Sequence, residues 1–215
     1  TRCAQANLRT VPHADAYAEA KAASLLALAA DSGSADAQTA LGTVMFLSEW
    51  DWAGAERCLR RALDIDPDHT EALLQYGALN DALGNGERGL RLKQQVLARA
   101  PHSPLVLMEI AVSYSLQRKF DQAIAWAKKA LALDARNQRA TEFLTMTCWL
   151  VGDMASAIGE KRRRAEALGV AGDAREALER GLAELEAHSR RGRHDVARFL
   201  LESFPKGADS RSSLQ

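Results

Sequence analysis

A short pattern returns every 34 residues. Ala-Leu-Asp-Ile-Asp-Pro ends at Pro67, Val-Leu-Ala-Arg-Ala-Pro at Pro101, and Ala-Leu-Ala-Leu-Asp-Ala at Ala135, where a third Pro would fall. Each is followed by a polar turn and a new amphipathic helical pattern. A fixed period of this size predicts a solenoid, in which each unit buries its apolar face only against its neighbours. It constrains the architecture and points to binding rather than catalysis, without naming a partner.

The bulk numbers agree. The 215 residues are 47% hydrophobic and 26% charged, and 28 Lys and Arg balance 28 Asp and Glu. Zero net charge argues against a chain that coats nucleic acid or a membrane surface, although a local patch stays open. Only 6% of residues are aromatic. Ala and Leu dominate, and they favour helices; no stretch alternates as a strand does. Cys3, Cys58 and Cys148 are odd in number and lack CxxC spacing. Neither a disulfide framework nor a zinc site is expected, and a reducing, cytoplasmic setting is the simpler reading. No apolar run approaches the ~18 residues of a membrane span, and no signal peptide is visible. The chain begins at Thr1 rather than Met, so a processed or excised piece of a longer protein is expected.

Small residues recur in register with the period. Ala111, Ala123 and Ala130 lie 12 and 7 apart, and Gly77, Gly89 and Val96 repeat the spacing. Thr145, Ala157 and Arg164 do so less faithfully, while Gly42, Ala55 and Ala62 lie 13 and 7 apart, one residue longer before Ala55. Ala20 and Ala27 fit the second half of a unit whose first half is absent. Such residues let two helices approach closely. Ala123 and Ala130 are therefore expected to be buried at helix contacts.

Leu41-Gly42, Ala55, Ala62 and Pro67; Tyr76-Gly77 and Pro101; Ala111, Tyr114, Phe120, Ala123 and Ala130; and Leu144, Gly152 and Ala157 together resemble the tetratricopeptide repeat family. The match covers roughly 18–169. It implies an all-α, right-handed superhelical solenoid of antiparallel helix pairs with a concave groove that binds peptides or partner domains. Arg164 replaces a packing Ala, Ala135 and Gly169 replace Pro, and Lys93 and Lys161 stand where the family often has an aromatic.

Helices are expected near 15–30, 35–48, 52–65, 70–83, 86–99, 104–117, 120–133, 138–151, 154–168, 173–190 and 194–203. The domain reading is a poorly defined segment over 1–17, a half repeat plus four repeats over 18–169, capping helices over 170–205 and a disordered tail over 206–215. Leu178, Leu182 and Leu185 give the first capping helix one apolar face.

Several motifs invite chemistry. Gly84-Asn85-Gly86-Glu87-Arg88-Gly89 fits GxGxxG, but helices flank it where a dinucleotide site needs a strand. Asp64, Asp66 and Asp68 alternate like calcium ligands, yet His69 and Gln75 stand where a calcium loop needs Gly and Glu. His13, His69, His102, His188 and His194 lie at turns without a second ligand at metal spacing. No Ser or Cys sits in a nucleophile-elbow context. No catalytic residue, metal site or cofactor is expected. Lys161-Arg162-Arg163-Arg164 and Arg190-Arg191-Gly192-Arg193-His194 are basic, but Glu160, Glu166, Glu176 and Glu179 interleave, which argues against nucleic acid. Trp50 and Trp52 flank the extra residue. One reading has Trp52 packing between repeats and Trp50 covering the turn; the other makes an exposed anchor for a partner. The surrounding Trp-Asp-Trp-Ala-Gly-Ala-Glu is similar to tetratricopeptide regions of bacterial regulators.

The resemblance also implies a binding stripe. In this family, places two, five, nine and twelve of each unit line the concave face. Here they hold Asp36, Thr39, Thr43 and Phe46; Glu71, Leu74, Ala78 and Asp81; Leu105, Met108, Val112 and Ser115; and Arg139, Glu142, Met146 and Trp149. The Lys/Asn clamp with which some members hold a peptide carboxylate is absent. The expected partner is a protein or peptide, best an apolar peptide or amphipathic helix, with self-association or the chain's own terminal helix as alternative occupants. Phe46, Leu74, Met108, Met146 and Trp149 are then expected to be at least partly exposed. The rival readings are an accessory or regulatory domain of an enzyme whose catalytic domain lies elsewhere and, less favoured, a nucleic-acid binder using the Arg clusters.

Overall fold

Helix starts are set by chemistry that recurs with the repeat. Ser34, His69, Ser103 and Asn137 each accept, through the side chain, a hydrogen bond from the backbone N–H three residues on, at Ala37, Ala72, Val106 and Ala140. Each satisfies a helix-end donor that would otherwise have no partner. Asp51 and Asp153 do the same for Gly54 and Ser156. The result, in a computed structural model that describes residues 13–191, is helical throughout, with no strand among the described residues. In chain order come α1 (His13–Ala30), α2 (Ala35–Val44), a π-helical turn (Met45–Glu49), α3 (Trp52–Ile65), α4 (Thr70–Ala82), α5 (Gly86–Arg99), α6 (Pro104–Leu116), α7 (Phe120–Leu133), α8 (Gln138–Val151), α9 (Met154–Ala167) and α10 (Gly172–Arg191).

Four of these helices, α3, α5, α7 and α9, begin at Trp52, Gly86, Phe120 and Met154, each 34 residues after the last. We call them second helices, and α2, α4, α6 and α8 first helices. The left-handed residue in the turn before each second helix keeps the same spacing: Trp50 (φ 58°), Gly84 (80°), Arg118 (60°) and Gly152 (86°). The extra residue foreseen before Ala55 is taken up by the π-helical turn, which widens the helix for one turn instead of shifting α3. This is why the helix expected over 35–48 leaves α geometry after Val44. Other helix ends fall within two residues of expectation. The expected helix 194–203, the tail, most of the 1–17 segment, Cys3 and His194 lie outside the described residues.

Packing divides the chain into two compact units, Thr1–Ala130 and Leu131–Gln215. In the first, α2 pairs with α3 and α4 with α5, and the first helices α2, α4 and α6 touch in sequence. Leu73, Leu74, Leu90, Val96, Val106 and Ile110 form one core, against which Trp126 packs; Ala55, Leu59, Tyr76 and Leu79 form a second. The small residues set the approach. A Cβ on Gly77 would lie 3.1 Å from the Gly89 carbonyl, and one on Gly42 would lie 2.9 Å from Leu59 Cγ. Ala111, Ala123 and Ala130 are fully buried, as the register requires.

In the second unit α8 pairs with α9, and α10 packs against α9. Ala140, Leu144, Cys148, Ala157 and Ile158 are buried, and α10 adds Leu182 and Leu185. No helix among the described residues is long and apolar enough to cross a membrane.

Candidate functional site

The expected binding stripe is only partly open. Asp36, Glu71, Leu105, Arg139, Glu142 and Met146 are exposed, while Phe46, Ala78, Val112, Ser115 and Trp149 are half-buried. Thr39, Thr43, Leu74, Asp81 and Met108 are buried. The expectation that Leu74 and Met108 are exposed is therefore corrected: they are 5% and 1% exposed. The cause is contact between neighbouring first helices. On α4 place five points into that junction, where Leu74 joins the core containing Val106 and Ile110 of α6, whereas Glu142 at place five of α8 is exposed. Thr39 and Thr43 turn their hydroxyls back onto the Ala35 and Thr39 carbonyls, both at 2.8 Å.

The face left to solvent is rotated by about one residue, to places two, six, nine and thirteen. On α4 it carries Glu71, Gln75, Ala78 and Ala82; on α6, Leu105, Glu109, Val112 and Leu116. This is again one stripe of a 3.6-residue helix. Leu105 is 50% exposed and Leu116 61%. In the second unit α8 carries Arg139, Phe143, Met146 and Leu150 at these places, with Glu142 also exposed. Gln75, Glu109, Leu116, Phe143 and Leu150 were missed. A polar residue directly after a large apolar one, as in Leu74-Gln75 and Met108-Glu109, is the signal that separates the two registers.

Beneath this face lies a buried polar network. Lys93 of α5, fully buried, donates to Asp81 Oδ2 of α4 (2.8 Å), to Ser113 Oγ of α6 (2.9 Å) and to the Glu109 carbonyl (3.1 Å). The Ser113 hydroxyl donates to Asp81 Oδ2 at 2.6 Å, and Glu109 Oε2 stands 3.6 Å from the same ammonium. All three ammonium protons are used, so the charge is paired as burial demands. Asp81 Oδ1 lies against Gly89, where a Cβ would displace it, and finds no hydrogen-bond partner among the described residues. Lys93, noted in the sequence as a departure from the usual aromatic, thus ties three helices together. Asp81 belongs to this network and not to an open groove.

The remaining motifs fall into structural roles. Gly84 and Asn85 form the turn into α5 and Gly86 to Gly89 its first helical turn, and the absent Cβ of Gly86 leaves room for Gln117. Asp66 Oδ1 accepts from the Asp68 N–H, and Asp68 pairs with Arg99 at 2.6 Å. His69 caps α4 through Nδ1 and meets Asp36 through Nε2 at 2.9 Å. Arg162 pairs with Glu179 and Arg163 with Glu160, both at 2.8 Å. Arg162 holds the Glu179 carboxyl below the usual carboxylate range, first through that hydrogen bond. Burial pushes up the Cys58 thiol, and burial with the Glu56 hydrogen bond pushes up the Tyr76 phenol. Trp52 packs against the Ala55–Leu59–Tyr76–Leu79 core, while Trp50 is 74% exposed, its ring 6.4 Å from that of Trp52.

No protein-family model and no curated protein matches the chain. Among solved structures, PilW, described as a widely conserved type IV pilus biogenesis factor, is similar over 88% of this chain and 85% of its own, with 20% identity and a TM-score of 0.67. The crystal structure of MamA is similar over 71% of this chain and 88% of its own, at 17% identity and a TM-score of 0.57. A MamA fragment from Desulfovibrio magneticus covers 75% and 89%, at 18% identity and 0.57. These likenesses carry the fold alone, and that fold is tetratricopeptide-like.

Proposed function

We propose that this chain is a protein-interaction scaffold of the tetratricopeptide repeat family. The first helices present an open face to a partner peptide or amphipathic helix. The observation that carries the reading is the apolar content of that face in the first unit, where Leu105 and Leu116 on α6 are 50% and 61% exposed; the second unit, taken by itself, exposes Met146 and Leu150 on α8. Exposed apolar rows rimmed by polar residues mark interaction sites in soluble proteins. The binding set expected from the sequence keeps Phe46, Ala78, Val112, Ser115, Glu142, Met146 and Trp149 as contact candidates. A role inside a larger regulatory protein is the setting in which such a module works. Chemistry is not part of the proposal. The Ser113, Lys93 and Asp81 side chains do meet, but both Ser113 and Lys93 are 0% exposed, leaving a substrate no approach.

Affinity capture with the whole chain and with a Leu105→Asp, Leu116→Asp variant tests this. The wild type is expected to retain a defined set of proteins that the variant loses, with helical circular dichroism unchanged. Retention of the same set by a folded variant would place the interaction elsewhere.

A further inference from the structure

Charge is segregated between the two helix rows of the first unit. The first helices α2, α4 and α6, with the π-helical turn, carry five acidic residues and no Lys or Arg. The second helices carry three Lys and Arg in α3, four in α5 and two in α7, against four Asp and Glu. The balanced total of the chain conceals this division. Of the five acids, Glu49 pairs with Lys21 of α1, and Asp81 and Glu109 share the one buried charge of Lys93. Asp36, its side chain 94% exposed beside His69, and Glu71, exposed beside Gln75, remain turned to solvent at place two of touching helices. Leu105 continues that row on α6.

Resting on the scaffold reading above, we infer that the partner of this face is a basic amphipathic helix, with Lys or Arg along the edge that meets Asp36 and Glu71 and Leu-sized side chains along the edge that meets Leu105, Val112 and Leu116. Electrostatic complementarity selects such a segment and steers its approach. The basic second helices repel it, so one face of the unit attracts it and the other does not.

The test uses two fluorescent peptides of identical apolar pattern, one of Leu and Lys and one of Leu and Glu, titrated by anisotropy against the whole chain. Variants are Asp36→Lys with Glu71→Lys, and Leu105→Asp with Leu116→Asp, each checked for unchanged helicity. The Leu/Lys peptide is expected to bind the wild type and the Leu/Glu peptide to fail. Charge reversal is expected to weaken the Leu/Lys complex about tenfold or more, and added salt to weaken it further. If both peptides bind alike and only the Leu-to-Asp variant loses them, the apolar face stands as a docking site and its basic preference is overturned. If the Leu/Lys peptide binds all three proteins equally, both are overturned. If neither peptide binds, the basic-helix inference falls, and affinity capture decides the scaffold reading separately.

Discussion

The second helix pair, α4 with α5, and the fourth, α8 with α9, follow one 34-residue plan and differ where their helices meet. In the second, Gly77, Gly89 and Val96 are all buried and bring two backbones close enough for Asp81 to rest on Gly89. In the fourth, Thr145 and Arg164 hold the corresponding places, and neither is fully buried. The polar groups follow suit. Lys93 gives every ammonium proton an acceptor, two of them buried side chains. In the fourth pair, by contrast, Thr145 Oγ1, Trp149 Nε1 and Arg164 Nε are buried with no hydrogen-bond partner among the described residues. The strict small-residue signature thus goes with a paired buried charge and one unmatched atom, Asp81 Oδ1, and the loose one with three unmatched polar atoms.

Substitutions at matching places sharpen the contrast. Lys93→Met strands the Asp81 carboxylate in the core and is expected to cost about 3–5 kcal/mol, recovered in part by adding Asp81→Leu. The exposed counterpart Lys161→Met is expected to stay within about 0.5 kcal/mol. Denaturant midpoints of the whole chain measure both. Equal losses at the two sites would erase the distinction between the pairs.

Next in size is the tight-packing place held by Ala130 and Arg164. Ala130→Arg is expected to overpack its contact by about 1–3 kcal/mol, with the unpaired charge adding to the loss. Arg164→Ala should change stability by less than about 1 kcal/mol. An unchanged melting temperature for the Ala130 variant would break the repeat register.

Smaller effects come from the left-handed turn residues. Arg118 holds φ 60° where Gly152 holds 86°, a conformation that strains any residue with a Cβ. Arg118→Gly is expected to stabilise by about 0.5–1 kcal/mol, and Gly152→Ala to destabilise by about as much. Thermal melts with the reverse order would show that turn strain is not what separates them.

The smallest effect is a pH dependence confined to the second unit. Glu179, whose pKa is lowered by Arg162, contributes stability above the ordinary carboxylate value, about 4.3, and loses it as pH falls through the lowered one. Protection factors against hydrogen exchange in α10, taken relative to the slower intrinsic exchange in acid, should therefore fall. In a Glu179→Gln variant that Glu179-dependent step should vanish, and a step of undiminished size would assign it to another group.

The period, the helix starts and the close contacts were legible in the sequence because each rests on local residue chemistry repeated in register. Ser34, Ser103 and Asn137 are cap residues in any context, and Ala123 and Ala130 could sit only at close approaches. The exposed face was misjudged by one residue because exposure depends on how neighbouring helices lean on each other. A helical wheel alone cannot tell whether Leu74 or Gln75 faces water. Lys93 was visible as a departure from the family pattern, but its partners come from α4 and α6, 12 and 20 residues away. Arg118 carries no composition signal for a left-handed turn.

The π-helical turn at Met45–Glu49 has a wider meaning. One residue added to a regular α-helix turns everything after it by about 100°, enough to aim a packing face at water. Here the added residue is confined to a single turn, and α3 starts on the same count as its later counterparts. The array therefore has a place where length can change without loss of phase, much as a spliced joint lets a rope grow without altering its lay. A lineage can test insertions there while the stacked interior stays under the constraints it already satisfies.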